Sequence, residues 1–526
     1  MNKPGQFFGF LVALGMAVFA LSVVLPNGKT ELGPFELGYY HPKDLLGPLW
    51  SGEKPTEQPK SAIDPLGLDS IATLEEEWDS VSVAVQREIE LAAEKARLAV
   101  PEPSLDTLIQ VVDVRTFAPY FEALEALKED PSKSARIIHY GDSQLEGDRI
   151  TMNLRDRLQK EYGGTGFGYV ALSPLVAPSS LEFKSVEGLA RKTIFGRRDT
   201  SIHDAKYGHL ASFSLLLPNA DQTGYAAKVD FEKRNWGFRL ARNYSTVRMH
   251  LEGAAPVEVD IKVEDTLFST RVFPAGEWTL GVDVPEVKAF TMELRSSKQA
   301  RIYGVSFESP SGVSVDNVAM RGASGMMFTK LDPVQFQDAL QREHYGLIIM
   351  QFGGNAVPYL KDEAHAKRFA RATGRQIGFI QRLYPEAAIL FIGPSDMAYK
   401  EGLDMQSYPL IPSLKNALRT EILSRGAGYW DLYDVMGGEG SMVDWVNREP
   451  ALAVKDYIHF TPKGASWVGK RLAAALDQLQ IEYENTVEQD LQQQAALQAA
   501  AAAAAAAAEA SMQQATGVVN DTIIHE

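Results

Sequence analysis

The sequence predicts an α/β protein built on a parallel sheet, with an inserted all-β sandwich domain and an N-terminal transmembrane helix. Short apolar runs at 136–140, 346–352 and 388–392 are typical of buried parallel strands, and helical patterns accompany them. Between the first and second runs, segments of 181–301 alternate apolar and polar residues, which is typical of antiparallel strands. An apolar run at 7–26 is long enough to cross a bilayer as a helix.

The overall composition narrows the class of protein. The chain has 526 residues, 45% of them hydrophobic and 23% charged, so it is long enough for two or more globular domains. Its formal net charge of −16, without a Lys/Arg stripe, argues against nucleic-acid binding. The chain has no cysteine, so we expect no disulfide and no thiol chemistry. No His-Glu-x-x-His motif occurs, and we expect neither a metal site nor a cofactor.

The N-terminal residues predict export. Lys3 precedes the apolar run in 1–26, so a retained signal anchor would leave the short N-terminus in the cytoplasm. A cleaved signal peptide is the alternative interpretation. We expect an inner-membrane anchor with the globular part in the periplasm or another extracytoplasmic space. The next residues, 27–106, are predicted to form an extended spacer followed by a long exposed helix at 71–100.

The remaining segments follow in order along the chain. We predict the first part of the α/β domain at 107–180, the sandwich at 181–301 and the second part of the α/β domain at 302–482. In the first part a strand ends at Gly141, and apolar residues then recur every four positions, so a strand, a tight turn and a helix follow one another. The tail 483–526 is rich in alanine and glutamine, which favours a helical or partly disordered segment without chemistry.

Ser143 and His459 are the candidate nucleophile and base. Ser143 follows a strand and a glycine turn, a layout that exposes a side chain at the end of a parallel sheet. A serine hydroxyl needs a base to take its proton, and His459 can do so if Asp456 holds the other imidazole nitrogen. In the alternative interpretation, Asp142 or Ser143 merely caps a helix, and Asp456 and His459 are ordinary residues near a helix start.

Asn355 is a candidate oxyanion donor, because it lies just past the second strand-like run and its side-chain amide can stabilise a tetrahedral intermediate. A turn asparagine after two glycines is the alternative. A further donor could be a backbone N–H at Gly322 or at Gly325, where glycine lets the backbone approach a reacting centre, although both could be ordinary loop glycines. Asp148 and Arg149 are expected to be structural residues on the outer face of the helix.

These segments resemble the sequence blocks of the SGNH/GDSL acyl-hydrolase family. The first block matches Gly141-Asp142-Ser143, the second lies near Gly322, the third is Gly353-Gly354-Asn355 and the fifth is Asp456-x-x-His459. The chain is most similar to a two-domain branch that includes bacterial peptidoglycan O-acetylesterases, in which a β-rich, carbohydrate-binding-like module interrupts the catalytic domain. The resemblance covers about 111–479 and implies a three-layer, flavodoxin-like fold. It departs at Ala356, where many family members carry an acidic residue.

The resemblance also implies roles for residues and an activity. By this resemblance Ser143, Asp456 and His459 form a catalytic triad, while the N–H groups of Ser143 and Gly322 and the side chain of Asn355 bind the oxyanion. The implied activity is that of an exported serine esterase that removes O-acetyl or other O-acyl groups from a cell-envelope or extracellular polysaccharide. Two alternatives stay open. One is a polysaccharide O-acetyltransferase that uses the same triad, and the other is a non-catalytic glycan-binding envelope protein.

The expected partners follow from this reading. They are an acetylated glycan as substrate, the membrane through the N-terminal helix and, in the O-acetyltransferase alternative, a multipass acyltransferase, with no nucleic acid. The sandwich is expected to help bind the polysaccharide. Its aromatic residues Trp236, Phe238 and Trp278 could stack on sugars, although packing in the core is the alternative for each of them.

Overall fold

The computed structural model describes residues 29–32, 35–38 and 108–523, apart from 197, 198, 200, 235 and 236, with side chains from 108 to 510. The predicted transmembrane helix at 1–26 and the predicted helix at 71–100 lie outside the described residues. Within the described ranges, no helix combines the length and the apolar character that a membrane crossing requires. Lys29–Leu32 and Phe35–Gly38 pair as antiparallel strands where an extended spacer was predicted.

The strands and helices of the described residues are numbered here in chain order. The strands are β1 (Lys29–Leu32), β2 (Phe35–Gly38), β3 (Ser134–Gly141), β4 (Gly166–Val170), β5 (Leu181–Glu187), β6 (Leu189–Thr193), β7 (Ser212–Leu216), β8 (Tyr225–Lys233), β9 (Thr246–Gly253), β10 (Val257–Val263), β11 (Thr266–Phe273), β12 (Gly276–Val282), β13 (Ala289–Ser296), β14 (Ala300–Glu308), β15 (Gly312–Ala319), β16 (Tyr345–Gln351), β17 (Ala388–Ile392), β18 (Ala398–Glu401), β19 (Asp404–Ser407) and β20 (Gly428–Trp430). The α-helices are α1 (Ala118–Glu129), α2 (Thr151–Tyr162), α3 (Arg239–Arg242), α4 (Pro333–Glu343), α5 (Glu363–Leu383), α6 (Ile411–Ser424), α7 (Leu432–Met436), α8 (Ser441–Asn447) and α9 (Pro462–Ile523). Short 3₁₀ turns occupy Val114–Phe117, Ser143–Asp148, Phe328–Lys330 and Gly354–Tyr359.

A five-stranded parallel sheet in the order β15-β3-β16-β17-β20 forms the centre of the α/β domain. Every residue of β16 and β17 is buried. Parallel sheets are covered by helices on both faces, which explains why these strands read as continuous apolar runs in the sequence. The carboxyl ends of β3 and β16 lie side by side, since Gly141 pairs with Gln351. The loops that follow these two strands therefore meet at one edge of the sheet.

Two hydrophobic cores lie on opposite faces of this sheet. Successive residues of β3 alternate between them, with Ile138 and Tyr140 in one core and Ile137 in the other. Residues of α4, α5 and α6 complete the first core, and residues of α1, α2 and α9 complete the second. The domain thus has helix, sheet and helix layers, and the predicted three-layer α/β architecture is present.

The inserted domain is a sandwich of two antiparallel sheets. One sheet has the order β11-β10-β13-β8-β5, and the other has the order β12-β9-β14-β7-β6 with β4 added beside β14. Apolar residues of both sheets, among them Phe231, Met249 and Val259, form a single core between them. Two antiparallel sheets that bury one apolar face each against the other are what the alternating sequence pattern predicts.

The antiparallel strands extend beyond the predicted range of 181–301 at both ends. β4 precedes that range, and β14 continues to Glu308. Gly166 and Gly168 of β4 have positive φ angles. Gly166 packs against the backbone of Phe307, and Gly168 packs against the side chain of Asp316. Because glycine occupies these two positions, β4 lacks the alternation of apolar and polar residues that predicts a strand. At the other end, β14 is followed closely by β15, and most residues of both strands are buried, so no long linker marks the boundary between the domains.

The C-terminal segment is one long helix, α9, whose two halves differ in burial. Its first turns pack on the α/β domain through Val468, Leu472 and Leu476. From Leu491 to the last described side chain the helix is exposed. Alanine stabilises a helix without burying much apolar surface, which accounts for an alanine run that extends past the domain.

Candidate active site

The turn after β3 presents Ser143 at the carboxyl end of the sheet. A side chain at Gly141 would place its Cβ 2.7 Å from Leu145 Cδ1, so the tight turn requires glycine. Asp142 is the residue that caps the following 3₁₀ turn, because its Oδ1 accepts a hydrogen bond from the Gln144 N–H at 3.0 Å. The capping role considered for Asp142 or Ser143 therefore belongs to Asp142, and the Ser143 hydroxyl is left for another partner.

That partner is His459, as the sequence predicts. Ser143 Oγ lies 2.8 Å from His459 Nε2, and His459 Nδ1 lies 2.7 Å from Asp456 Oδ2. The other carboxylate oxygen of Asp456 accepts the backbone N–H groups of Ile458 and His459, both at 3.0 Å. Partial burial opposes ionisation of Asp456, but these hydrogen bonds outweigh it and hold the pKa of the carboxyl below its usual range. Asp456 is therefore an anion that orients the imidazole at neutral pH.

Two side chains of the nucleophile turn (141–149) hold the histidine loop (456–460) in place. Gln144 donates from Nε2 to the Ile458 carbonyl at 2.7 Å and accepts the Phe460 N–H at 3.3 Å. The Arg149 guanidinium donates to three backbone carbonyls, those of Glu146, Ser143 and Phe460, at 2.9–3.0 Å. Ser143 and His459 are 316 residues apart in sequence, and these bonds fix their relative position.

This connection was not predicted from the sequence. Arg149 was expected to be a structural residue on the outer face of the helix, whereas it lines the active-site cavity and joins the two halves of the triad. The crowding of polar residues after Ser143 was the available signal. Asp148 is bound to Arg155, with Arg155 Nη2 donating to Asp148 Oδ1 at 3.1 Å, which fits the structural role expected for it, but it is buried and so does not lie on the outer face that was predicted.

A cavity of about 820 Å³ opens over the triad. Ser143, Gly322 and Asn355 all line it, so the structure brings together the residues that were predicted as oxyanion donors. Within the described chain, neither the Ser143 N–H nor the Gly322 N–H donates a hydrogen bond, so both are available to a ligand. Gly325 does not line the cavity and instead packs against the ring of Phe352.

The two glycines can be separated experimentally. Both have positive φ angles, 75° at Gly322 and 88° at Gly325, so alanine at either costs about 1 kcal/mol of backbone strain. At Gly325 an added Cβ would also lie 2.9 Å from Phe352 Cγ, whereas at Gly322 it meets nothing. We expect Gly325→Ala to lower Tm more than Gly322→Ala, and Gly322→Ala to lower kcat at least about tenfold by displacing a donor. Thermal unfolding and ester hydrolysis would check this, and a larger kcat loss in the Gly325 variant would reverse the assignment.

The Asn355 amide is already engaged. Nδ2 donates to Asp142 Oδ2 at 3.0 Å and to the Ala323 carbonyl at 3.1 Å, so both of its hydrogens have acceptors. Donation from Asn355 to an oxyanion, which the resemblance implies, requires that one of these bonds be shared or exchanged. The two backbone N–H groups are the donors that stand open in this structure. In this structure Asn355 therefore binds the buried carboxyl of Asp142.

Asp142 is a buried acid, and its ionisation should affect stability. Burial raises its pKa to about 6, although hydrogen bonds from Gln144 and Asn355 oppose the shift. Because the folded protein holds this proton more tightly than the unfolded chain, stability falls as pH rises from about 4 to 6, by about 2–3 kcal/mol in total. Asp142→Asn should remove that part of the pH dependence. Denaturant unfolding at pH 4.5 and pH 7 would test this, and an unchanged difference between the two pH values would contradict it.

Other predicted features of the site take different positions. Phe238 is half-buried beside Lys160, and Trp278 is exposed on β12 with its indole N–H donating to the Ala275 carbonyl. Neither lines the active-site cavity, and Trp236 lies outside the described residues. Over the ranges that carry described side chains, no group of three or more His, Asp or Glu residues is placed to hold a metal ion.

Comparison with known proteins bears on the fold. No family model matches the sequence, and no curated protein matches it. A solved structure of a peptidoglycan O-acetylesterase aligns with a TM-score of 0.54 and 21% identity over 69% of this chain and 96% of that one, so the two share a fold. This confirms the predicted resemblance at the level of architecture. Family two carbohydrate esterases also align, one from Clostridium thermocellum at 13% identity and one from Cellvibrio japonicus at 11%. They cover 55% and 53% of this chain and 98% and 97% of their own chains, each with a TM-score of 0.23.

Proposed function

We propose that this chain is a serine esterase that removes O-acetyl groups from a polysaccharide. The observation that carries the proposal is the continuous set of contacts from Ser143 through His459 to Asp456 beneath an open cavity. A serine hydroxyl becomes nucleophilic only when a base accepts its proton, and an imidazole performs this best when a carboxylate fixes its tautomer. The 2.8 Å and 2.7 Å distances meet both requirements.

The reaction follows from these positions. Ser143 Oγ attacks the ester carbonyl carbon while its proton passes to His459 Nε2, and Asp456 stabilises the imidazolium. The negative charge that develops on the carbonyl oxygen is bound by the N–H groups of Ser143 and Gly322. The imidazolium then protonates the departing sugar oxygen, which leaves an acetyl group on Ser143. Water, deprotonated by His459, attacks this ester and releases acetate, and the serine regains its proton.

The shape of the site supports a substrate larger than a simple ester. The cavity volume of about 820 Å³ lies within the range for binding sites of small molecules, and the cavity is open to solvent. A glycan can place one acetylated sugar there while the rest of the chain continues outside. The structure that shares this fold is described as a peptidoglycan O-acetylesterase, which makes an acetylated polysaccharide the substrate class to examine first.

Acetate release tests the proposal directly. We expect the purified protein to hydrolyse 4-nitrophenyl acetate and to release acetate from acetylated peptidoglycan or other acetylated polysaccharides. Purified protein that binds these glycans without releasing acetate would favour the non-catalytic alternative. Acetyl transfer to an added glycan, measured in parallel, separates hydrolysis from an O-acetyltransferase that uses the same triad with a multipass membrane partner.

The proposal includes a place in the cell. The apolar segment 1–26 would anchor the protein in the inner membrane, with the esterase outside the cytoplasm where envelope glycans are found. Fractionation of cells that produce the full chain is expected to place it in the membrane. Protease added to intact spheroplasts should degrade the esterase domain, and protection from protease would contradict this orientation.

A further inference from the structure

A second, smaller cavity adjoins the active-site cavity. It has a volume of about 70 Å³ and lies where β4 and β6 of the sandwich face the nucleophile turn. Glu146, Gly147 and Val176 line both cavities, so a ligand that occupies one can extend into the other. The volume exceeds what a single water molecule needs and suits a group of a few heavy atoms. A substituent of a bound sugar fits this space, whereas the sugar itself belongs in the larger cavity.

An arginine that has no hydrogen-bond acceptor among the described residues faces this small cavity. Arg191 of β6 lines it, its Nε atom is fully buried, and among the described residues its guanidinium makes no hydrogen bond or ion pair. The guanidinium lies 5.7 Å from the centre of the Phe195 ring, and the side chains of Phe195 and Leu210 also line the cavity. A buried donor that lacks an acceptor is costly, so an acceptor that arrives with the substrate would gain free energy here.

The nearby acidic groups do not neutralise Arg191. Both carboxylate oxygens of Glu146 accept hydrogen bonds from Arg321, at 2.6 Å and 2.7 Å. Asp148, which also lines the cavity, is bound to Arg155. Glu146 attracts Arg191 electrostatically but is paired with Arg321, so the described charged groups of these pairs together with Arg191 sum to one excess positive charge, in a chain whose formal net charge is −16. An isolated cation in the cleft of an acidic protein favours an anionic substrate group.

We propose that Arg191 binds a carboxylate of the glycan, so that the preferred substrate is an acetylated polysaccharide with uronic-acid residues. This inference rests on the proposed esterase function. A planar carboxylate matches the guanidinium fork and can accept two parallel hydrogen bonds from it. A single negative charge also balances the single free guanidinium, whereas a dianionic phosphate would leave an excess charge in a partly apolar cavity.

The test uses polymers that differ only in the carboxylate. Acetylated pectin with free galacturonate groups is compared with the same material after methyl esterification, and acetylated glucuronoxylan with its carboxyl-reduced form. We expect kcat/KM for acetate release to be about tenfold to hundredfold higher for the acidic member of at least one pair. In Arg191→Gln this preference should fall to about twofold or less, and in Arg191→Lys it should be intermediate. Arg271→Gln, which removes the same charge from an exposed position on β11, should keep the full preference.

The outcomes separate the two proposals. If the protein cleaves 4-nitrophenyl acetate and all four polymers without preference for the acidic members, the esterase function stands and the carboxylate subsite is wrong. A preference that survives in Arg191→Gln also overturns the subsite. If no ester is cleaved at all, the esterase function fails, and binding then decides the subsite. Ser143→Ala should bind oligogalacturonate at least tenfold more tightly than its methyl ester, and Ser143→Ala/Arg191→Gln should bind both equally.

Discussion

Replacing Ser143 with alanine is expected to lower kcat for acetyl-ester hydrolysis by about a thousandfold to a millionfold. Among the described residues the hydroxyl is the only hydrogen-bond partner of His459 Nε2, and without it no acyl-enzyme can form. The removed atom is small and lies at the edge of the cavity, so Tm should change by only a few degrees. Acetate release and release of 4-nitrophenol from 4-nitrophenyl acetate would both report the loss.

A second serine in the same cavity provides the matched control. Ser395 also lines the cavity, but its hydroxyl makes no hydrogen bond to His459. Ser395→Ala removes the same atom from the same space and should change kcat by less than about tenfold. Equal losses in the two variants would show that cavity shape, and not nucleophilic attack by Ser143, limits the reaction.

Replacing Asp456 with asparagine is expected to reduce kcat by about a thousandfold to ten-thousandfold. An asparagine side chain of the same shape can donate to His459 Nδ1, which would leave the proton on Nε2, the atom that must accept a proton from Ser143. The imidazolium would also lose the negative charge that stabilises it. Because Asp456 is partly exposed and its backbone hydrogen bonds can be kept by the amide oxygen, we expect only a small loss of stability.

The double variant shows whether these residues act as a unit. If the role of Asp456 is exercised through His459 and Ser143, Asp456→Asn in a Ser143→Ala background should cause little further loss. The effects of residues that belong to one catalytic unit are strongly non-additive. Multiplicative losses in the double variant would mean that Asp456 acts on the reaction by another route.

Local patterns predicted three of the five strands of the α/β sheet, and β15 and β20 were not predicted. The runs at 136–140, 346–352 and 388–392 appear in the structure as β3, β16 and β17, because strands that are buried on both faces must be apolar throughout. The short strand β20 (Gly428–Trp430) was not predicted, since three residues are too few to show a period. β4 was not predicted because it contains glycines in place of apolar residues. These glycines allow the backbone and side chains of other strands to pack closely against β4.

The residue types of the site were also predictable, but their connections were not. Ser143, His459 and Asp456 stand out in the sequence because each follows a recognisable strand or motif. Nothing in the sequence indicates that Arg149 and Gln144 bind the histidine loop, or that Asp142 holds the Asn355 amide. Such bonds join segments hundreds of residues apart, and a local pattern carries no information about which distant carbonyl a side chain will meet.

The sequence by itself determined the chemistry that is available: an α/β domain interrupted by a β-sandwich, a serine after a glycine turn, and a histidine with a carboxylate three residues before it. Only the tertiary structure decided which of these groups are in contact, which glycine faces the cavity, and that Arg191 of the sandwich makes no hydrogen bond or ion pair with any described residue beside the nucleophile turn. The physical reason is the distance along the sequence over which each kind of interaction acts. Backbone preferences and apolar periodicity act over a few residues, whereas a catalytic contact depends on how whole layers pack against each other.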